Sequence, residues 1–216
     1  MKYEVLVVDD HAIIRDGLKK ILADTDDLVV AGEAGNGNAA LEIVRIQSFD
    51  LVILDLTMPG RNGLELIKLI KSECPKLPIL IFSMHPEEQY AVRAIRAGAS
   101  GYLSKDGDSE LILPAMRKVA AGGVFISPKL AELLAIDVSP NTHNQPHTLL
   151  TNREYEVFNR IVRGISLTAI AEEFSLSIKT VSTHKSHILA KMDMATHVDL
   201  VRYAIEHKLL DFTTNE

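Results

Sequence analysis

Leu51-Val52-Ile53-Leu54-Asp55-Leu56-Thr57-Met58-Pro59-Gly60 decides how the first half of this chain folds. Four successive apolar residues without alternation describe a strand buried on both faces, and Pro59-Gly60 marks its break into a loop. The strand delivers one carboxylate, Asp55, to its end. An earlier apolar run, Val5-Leu6-Val7-Val8, finishes in Asp9-Asp10. Two parallel strands ending in three carboxylates form a strongly negative pocket at one sheet edge, and such a pocket requires a cation.

Outward from these two runs, residues 28–31, 79–82 and 101–103 read as further strands. Ile13, Ile14, Gly17, Leu18, Ile21 and Leu22 are spaced for one helical face, and helical periodicity returns over 39–45, 64–72, 87–97 and 109–121. A βα unit repeated five times predicts a parallel sheet with helices on both faces and right-handed crossovers. Ligands of such sheets sit beyond the carboxyl ends of the strands, where the strand order reverses. Pro114 lies inside the last helical stretch, where it removes a donor and crowds the carbonyl of Glu110, so that helix must begin late or bend.

Hard oxygen donors favour Mg²⁺, held by one or two carboxylates and waters. The alternative is that Asp9 and Asp10 merely cap the following helix. Two more strand ends bear on the choice. Ser83 closes the fourth candidate strand with a hydroxyl, and Lys105 follows the fifth with an ammonium. A hydroxyl and an ammonium facing a carboxylate and a metal match the oxygens of an attached phosphoryl group.

The 216 residues suit one large domain or two small ones. A net charge of −6 excludes a polycation that coats nucleic acid without selection, so any DNA binding must be local. Cys74 is the single cysteine, which excludes an internal disulfide and a CxxC site; it reads as a free thiol in a loop of a reducing compartment. Met1-Lys2-Tyr3-Glu4 leads straight into a strand, and no apolar run approaches the ~18 residues of a membrane span, so a soluble cytoplasmic protein is expected, with no membrane partner.

Residues 122–136 hold Gly122-Gly123, a short apolar run, Pro128 and a small amphipathic segment at 130–134. Residues 137–148, nearly devoid of large apolar side chains, read as an interdomain linker in which His143 and His147 face solvent. From Leu149 the pattern is helical. Thr151 precedes Glu154 at capping-box spacing, a helix over 155–163 ends at Gly164, a short helix covers 167–174, and Ser175-Leu176-Ser177 forms a turn. Helices over 178–192 and 198–208 complete what reads as a helix-turn-helix. In the third of these helices Ile178, Val181, Ile188, Leu189 and Met192 gather inward, with Lys185 intruding on their arc. Lys179, Thr183, Ser186, His187 and Ala190 gather outward, with Ser182 at the edge. From 175 to 192 the chain carries Lys179, Lys185 and Lys191 and no acidic residue, reversing the global sign. Small polar and basic residues on an outward face can enter a major groove, with His184 placed for a phosphate. His184 and His187 lie three apart, but no third ligand at compatible spacing supports zinc.

Through Val7-Val8-Asp9-Asp10-His11, the stretch from Leu54 to Gly60, Ser83 and Tyr102-Leu103-Ser104-Lys105, residues 1–121 resemble the receiver domain of two-component response regulators. Through Leu150-Thr151-Asn152-Arg153-Glu154-Tyr155-Glu156-Val157, Gly164-Ile165-Ser166, Ile170-Ala171 and the run from Leu176 to His184, residues 149–210 resemble the LuxR-type helix-turn-helix of the NarL/FixJ class. The resemblance implies an α/β receiver at 1–121 with a flavodoxin-like, five-stranded parallel sheet, a linker with a short helix at 122–148, and an all-α helix-turn-helix domain at 149–216. It implies that Asp55 takes a phosphoryl group from a sensor histidine kinase, with Mg²⁺ held by Asp10, Asp55 and the Thr57 carbonyl and with Asp9 acting through water. Ser83 and Lys105 would bind phosphoryl oxygens, and Tyr102 would be the aromatic switch; its alternative is a half-buried strand aromatic with a wet hydroxyl. The recognition helix would present Lys179, Thr180, Ser182, Thr183, His184, Ser186, His187 and Lys191 to double-stranded DNA. A phosphorylation-dependent homodimer, joined near the last helix, would span two promoter half-sites about one helical turn apart.

Ser182 stands where many members carry Lys, and Thr168-Ala169 where Asn-Lys is frequent. A rival class, the aspartyl-phosphate phosphatases of haloacid dehalogenase type, also uses Mg²⁺, strand-end carboxylates and a Lys. Its members usually carry a DxD pair with the nucleophile on the first strand, whereas here Asp9-Asp10 are adjacent and Asp55 ends the third. A transcription regulator rather than an enzyme is therefore expected.

Overall fold

The computed structural model describes residues 2–58, 63–138, 145–207 and 209–210; Pro59, Gly60, His143 and Lys208 lie outside the described residues. The chain forms two compact units, Met1–Ala135 and Ile136–Glu216.

In the first unit β1 (Tyr3–Val8), β2 (Leu28–Ala34), β3 (Leu51–Leu54), β4 (Ile79–Ser83) and β5 (Gly101–Ser104) form a parallel sheet ordered β2-β1-β3-β4-β5. The crossovers carry α1 (Ala12–Ala23), α2 (Gly37–Ile46), α3 (Gly63–Glu73) and α4 (Glu87–Ala97), and α5 (Ile112–Ala120) follows β5. Strand order reverses between β1 and β3, which are aligned with Val8 opposite Leu54, so Asp9 and Asp55 emerge side by side at the switch point. All residues of β3 and β4 are buried, as continuous apolar runs require. β2 runs three residues beyond its apolar stretch, through Gly32, Glu33 and Ala34. It is an edge strand with a mostly half-exposed pattern, so its pairing does not need apolar side chains.

One core layer joins Val5, Val7, Leu51, Ile53, Leu80 and Phe82 to Leu18 and Leu22 of α1 and to Ala115, Met116 and Val119 of α5. A 3₁₀ turn at Ser109–Leu111 precedes α5, so Pro114 falls in the first helical turn, where a missing N–H removes no intrahelical bond. Beyond α5 the chain stays on the sheet. Phe125 pairs in parallel with Gly101, and α6 (Pro128–Val138) begins after Ser127, whose Oγ accepts from Leu130 N at 3.0 Å.

The second unit contains α7 (Asn152–Val162), α8 (Leu167–Glu173), α9 (Ile178–Lys191) and α10 (His197–Glu206). Thr151 and Glu154 form the expected reciprocal capping box on α7, and Gly164, at φ 79°, follows the end of that helix. In the α8–α9 turn Ser175 takes φ 54°, and Phe174 is held by the guanidinium groups of Arg153 and Arg160, 4.0 and 5.4 Å from its ring centre. On α9, Val181 and Ile188 are buried and Leu189 is half-buried, and Met192, the C-cap, is buried, as the periodicity predicts. Ile178 departs from it: the residue is 52% exposed, because it opens the helix and the packed stripe starts only at Val181. Among the described residues, no helix is long and apolar enough to cross a membrane.

Candidate functional site

The ends of β1, β3, β4 and β5 bring together Asp9, Asp10, Asp55, Ser83 and Lys105. Asp55 N donates to Val8 O at 2.9 Å, carrying the β1–β3 pairing up to the acid, and Lys105 N donates to Ser83 O at 2.8 Å, which sets the base of Lys105 beside β4. From there Lys105 Nζ reaches Asp9 Oδ2 and Asp55 Oδ2, both at 2.6 Å, and all three side chains are no more than 3% exposed. The second oxygens are occupied by backbone donors: His11 N to Asp9 Oδ1 at 2.9 Å and Thr57 N to Asp55 Oδ1 at 3.0 Å. Arg15 Nη1 fastens the loop by donating to Asp9 O at 2.7 Å.

Asp10 completes an excess of acid over Lys105. Its Oδ1 is buried and lacks a hydrogen-bond partner; His11 Nδ1 lies 3.0 Å away but off hydrogen-bond geometry. The N-cap of α1 is His11, and no side chain caps that helix, so capping does not account for the Asp pair. One ligand atom each from Asp9, Asp10, His11 and Asp55 falls within a 4.8 Å span. Anionic oxygens, one of them unsatisfied, fit a hard divalent cation such as Mg²⁺.

Ser83 is fully buried, and its Oγ accepts from His85 N at 3.3 Å. Tyr102 is also fully buried, and its hydroxyl donates to His85 O at 2.7 Å. The half-buried, wet alternative for Tyr102 is thereby corrected: the ring is turned into the unit because the β4–α4 loop supplies an acceptor for its hydroxyl. Burial pushes the phenol well above its usual value despite an opposing hydrogen bond with Ser83, so the hydroxyl stays a donor. Periodicity could not reveal His85, which links the two and stacks on Tyr90 at 4.5 Å. Gly63 was also missed. A Cβ there would lie 2.6 Å from both Cα and O of Leu56, so the glycine lets α3 approach the residue after Asp55.

On α9, Lys179, Thr180, Ser182, Thr183, Ser186 and His187 are exposed and His184 is half-buried. Thr183 and Ser186 donate their hydroxyls back to Lys179 O and Ser182 O at 3.0 and 3.1 Å, leaving lone pairs for an outside donor. Ser177 caps the helix through Thr180 N at 3.1 Å. His184 Nδ1 is buried without a partner; burial first, and the nearby Arg153 charge second, hold the imidazole below its usual value of 6.5. Lys191 is engaged within the unit, its Nζ 2.6 Å from Glu154 Oε2, and His187 Nδ1 lies 3.8 Å from Glu154 Oε1. His147 is not the solvated linker residue expected. It is half-buried, with Nδ1 2.7 Å from the Tyr203 hydroxyl of α10, because the 3₁₀ turn at Pro146–Leu149 packs its ring against that helix.

A doubly wound sheet with an acidic pocket and a buried lysine at its switch point, in one chain with a helix-turn-helix unit, defines a regulator of the receiver type that binds DNA. The comparisons agree. Residues 5–117 match the response regulator receiver domain, and residues 148–204 match the bacterial regulatory proteins of the luxR family. The chain is 36% identical to the oxygen regulatory protein NreC of Staphylococcus carnosus over 97% of this chain and 100% of that one. It is 34% identical to the response regulator GacA of Pseudomonas aeruginosa, over 96% and 98% of the two chains. Among solved structures, RcsB from Salmonella enterica serovar Typhimurium, bound to a promoter in the presence of phosphomimetic BeF3⁻, superposes with a TM-score of 0.68 at 26% identity, over 94% of this chain and 98% of that one. The chain belongs to the NarL/FixJ family of two-component response regulators and is a DNA-binding member with a LuxR-type helix-turn-helix.

Proposed function

We propose that Asp55 accepts a phosphoryl group from the phosphohistidine of a sensor histidine kinase, and that the new charge controls homodimerisation and promoter binding through α9. The P–N bond of the donor breaks as the bond to an Asp55 oxygen forms. The carrying observation is the buried arrangement of Asp55 with Lys105 Nζ at 2.6 Å and Ser83 on the neighbouring strand end. Phosphoryl transfer asks mainly for alignment and charge neutralisation, which these groups supply. Asp10, Asp55 and the Thr57 carbonyl would hold Mg²⁺, with Asp9 acting through water; when bound, the ion supplies further neutralisation of the phosphoryl oxygens. Lys105 is already poised on Asp55 and would follow an oxygen of the attached group. Ser83 Oγ would turn from His85 N toward another, and Tyr102, inward and protonated, would fill the space behind it.

In this reading residues 1–121 receive, 122–148 connect and 149–216 bind double-stranded DNA, and the protein is a regulator rather than an enzyme. Lys179, Thr180, Ser182, Thr183, His184, Ser186 and His187 would face the groove or its phosphates, while Lys191 would have to exchange Glu154 for a phosphate. The promoter-bound RcsB relative supports this assignment of the helical unit. Intact-mass measurement after incubation with acetyl phosphate and Mg²⁺ tests the receiver: one added phosphoryl group is expected, lost in Asp55→Asn. No adduct on the natural sequence would refute the reading.

A further inference from the structure

The segment after α5 is fastened to the first unit at several points. Phe125 N donates to Ser100 O at 2.8 Å and Phe125 pairs with Gly101, where an added Cβ would meet Phe125 O at 3.0 Å. Leu130, in the first turn of α6, is completely buried. Ser127 Oγ donates to Glu87 Oε2 at 2.6 Å while accepting from Leu130 N at 3.0 Å, so one hydroxyl both grips α4 and caps α6. Lys129 pairs with Glu88 in the same turn of α4.

That turn directly follows the residues around Ser83 and Tyr102. His85 N bonds Ser83 Oγ at 3.3 Å and His85 O accepts from Tyr102 at 2.7 Å. Pro86 is then the N-cap of α4, and Glu87 and Glu88 are its first helical residues. A hydroxyl drawn toward a phosphoryl group on Asp55 gives up His85 N, the longest contact of this chain, two residues from Glu87. The carboxylates that hold α6 thus sit two and three residues beyond His85, on the segment that these contacts hold.

We infer that Ser127–Glu87 and Lys129–Glu88 form a clasp through which the start of α6 answers to the state of Asp55, phosphorylation loosening it. The clasp rests on the phosphoacceptor reading above and gives it a physical route out of the pocket. The charge-assisted Ser127–Glu87 bond is the stronger of the two links, and its loss also weakens the α6 cap.

The test uses the full chain, with amide hydrogen exchange of residues 128–138 and affinity for promoter DNA measured without and with beryllium fluoride and Mg²⁺. In the natural sequence, exchange in α6 should rise several-fold when the adduct forms. In Glu87→Ala/Glu88→Ala it should be fast already and indifferent to the adduct, and the adduct-dependent gain in DNA affinity should be lost while phosphorylation of Asp55 persists. The swap Glu88→Lys/Lys129→Glu, with Glu87 intact, should restore the response. Exchange in natural α6 that ignores the adduct overturns the clasp, as does a double variant that responds like the natural protein in exchange and DNA binding. An adduct that alters α6 without altering DNA affinity refutes the promoter-control reading and leaves the clasp standing; failure to form the adduct refutes both.

Discussion

Lys105 Nζ lies 2.6 Å from Asp55 Oδ2 and equally close to Asp9 Oδ2, so one ammonium is shared by two buried carboxylates that follow different strands and offsets only part of their charge. Removing one member of a buried ion group leaves the others uncompensated, which typically costs about 3 kcal/mol or more. Lys105→Ala should therefore lower stability in urea by about that amount, and it should also slow phosphoryl transfer at Asp55. Unchanged stability would mean that the contact is not formed in solution.

Asp10 should behave in the opposite sense. Its buried Oδ1 has no hydrogen-bond partner, which costs stability wherever no cation sits there. Asp10→Asn is expected to raise stability by about 1 kcal/mol in thermal unfolding without Mg²⁺. The same substitution should abolish Mg²⁺-dependent phosphorylation, with titration of the ion followed by tyrosine fluorescence as the check.

Gly63 tests how tightly the loop after β3 is packed. An alanine Cβ would stand 2.6 Å from Leu56 Cα and O, and backbone cannot step aside as a side-chain tip can. Gly63→Ala should cost roughly 2–3 kcal/mol and slow phosphorylation by displacing Asp55, as a phosphodonor time course would record.

Glu154 carries a pH signature. Burial alone would raise its carboxyl, but Lys191 and the backbone and hydroxyl of Thr151 outweigh burial and hold it below the ordinary carboxylate range. A depressed folded value means the contribution is complete above the unfolded value, ~4.3, and disappears as pH falls through the folded one. Glu154→Gln should accordingly cost about 1 kcal/mol at neutral pH, with the gap to the natural protein closing in acid. A gap of constant size from pH 7 to pH 3 would contradict the assignment.

Much of this was legible because the signals were local. Buried central strands leave unbroken apolar runs, so the positions of Asp9, Asp55, Ser83 and Lys105 at strand ends could be read directly. Pro114 announced a late helix start, and Thr151 with Glu154 announced a capping box. The length of the β2 edge strand is not legible, because Gly32 and Glu33 end its apolar run while its ladder continues. Helical phase turns Ile178 inward but does not reveal where packing begins, and the residue is exposed. His147–Tyr203 and Ser127–Glu87 join residues 56 and 40 positions apart through single polar contacts, which leave no periodic trace. Gly63 escaped because the need for a missing Cβ arises only when α3 meets Leu56.

Affinity for promoter DNA, measured by fluorescence anisotropy at fixed salt with and without acetyl phosphate and Mg²⁺, tests the central claim most directly. The account predicts binding about tenfold tighter for the phosphorylated chain, with no change in Asp55→Asn. Equal affinity of the two forms, with phosphorylation of Asp55 verified by mass in the same samples, would contradict it.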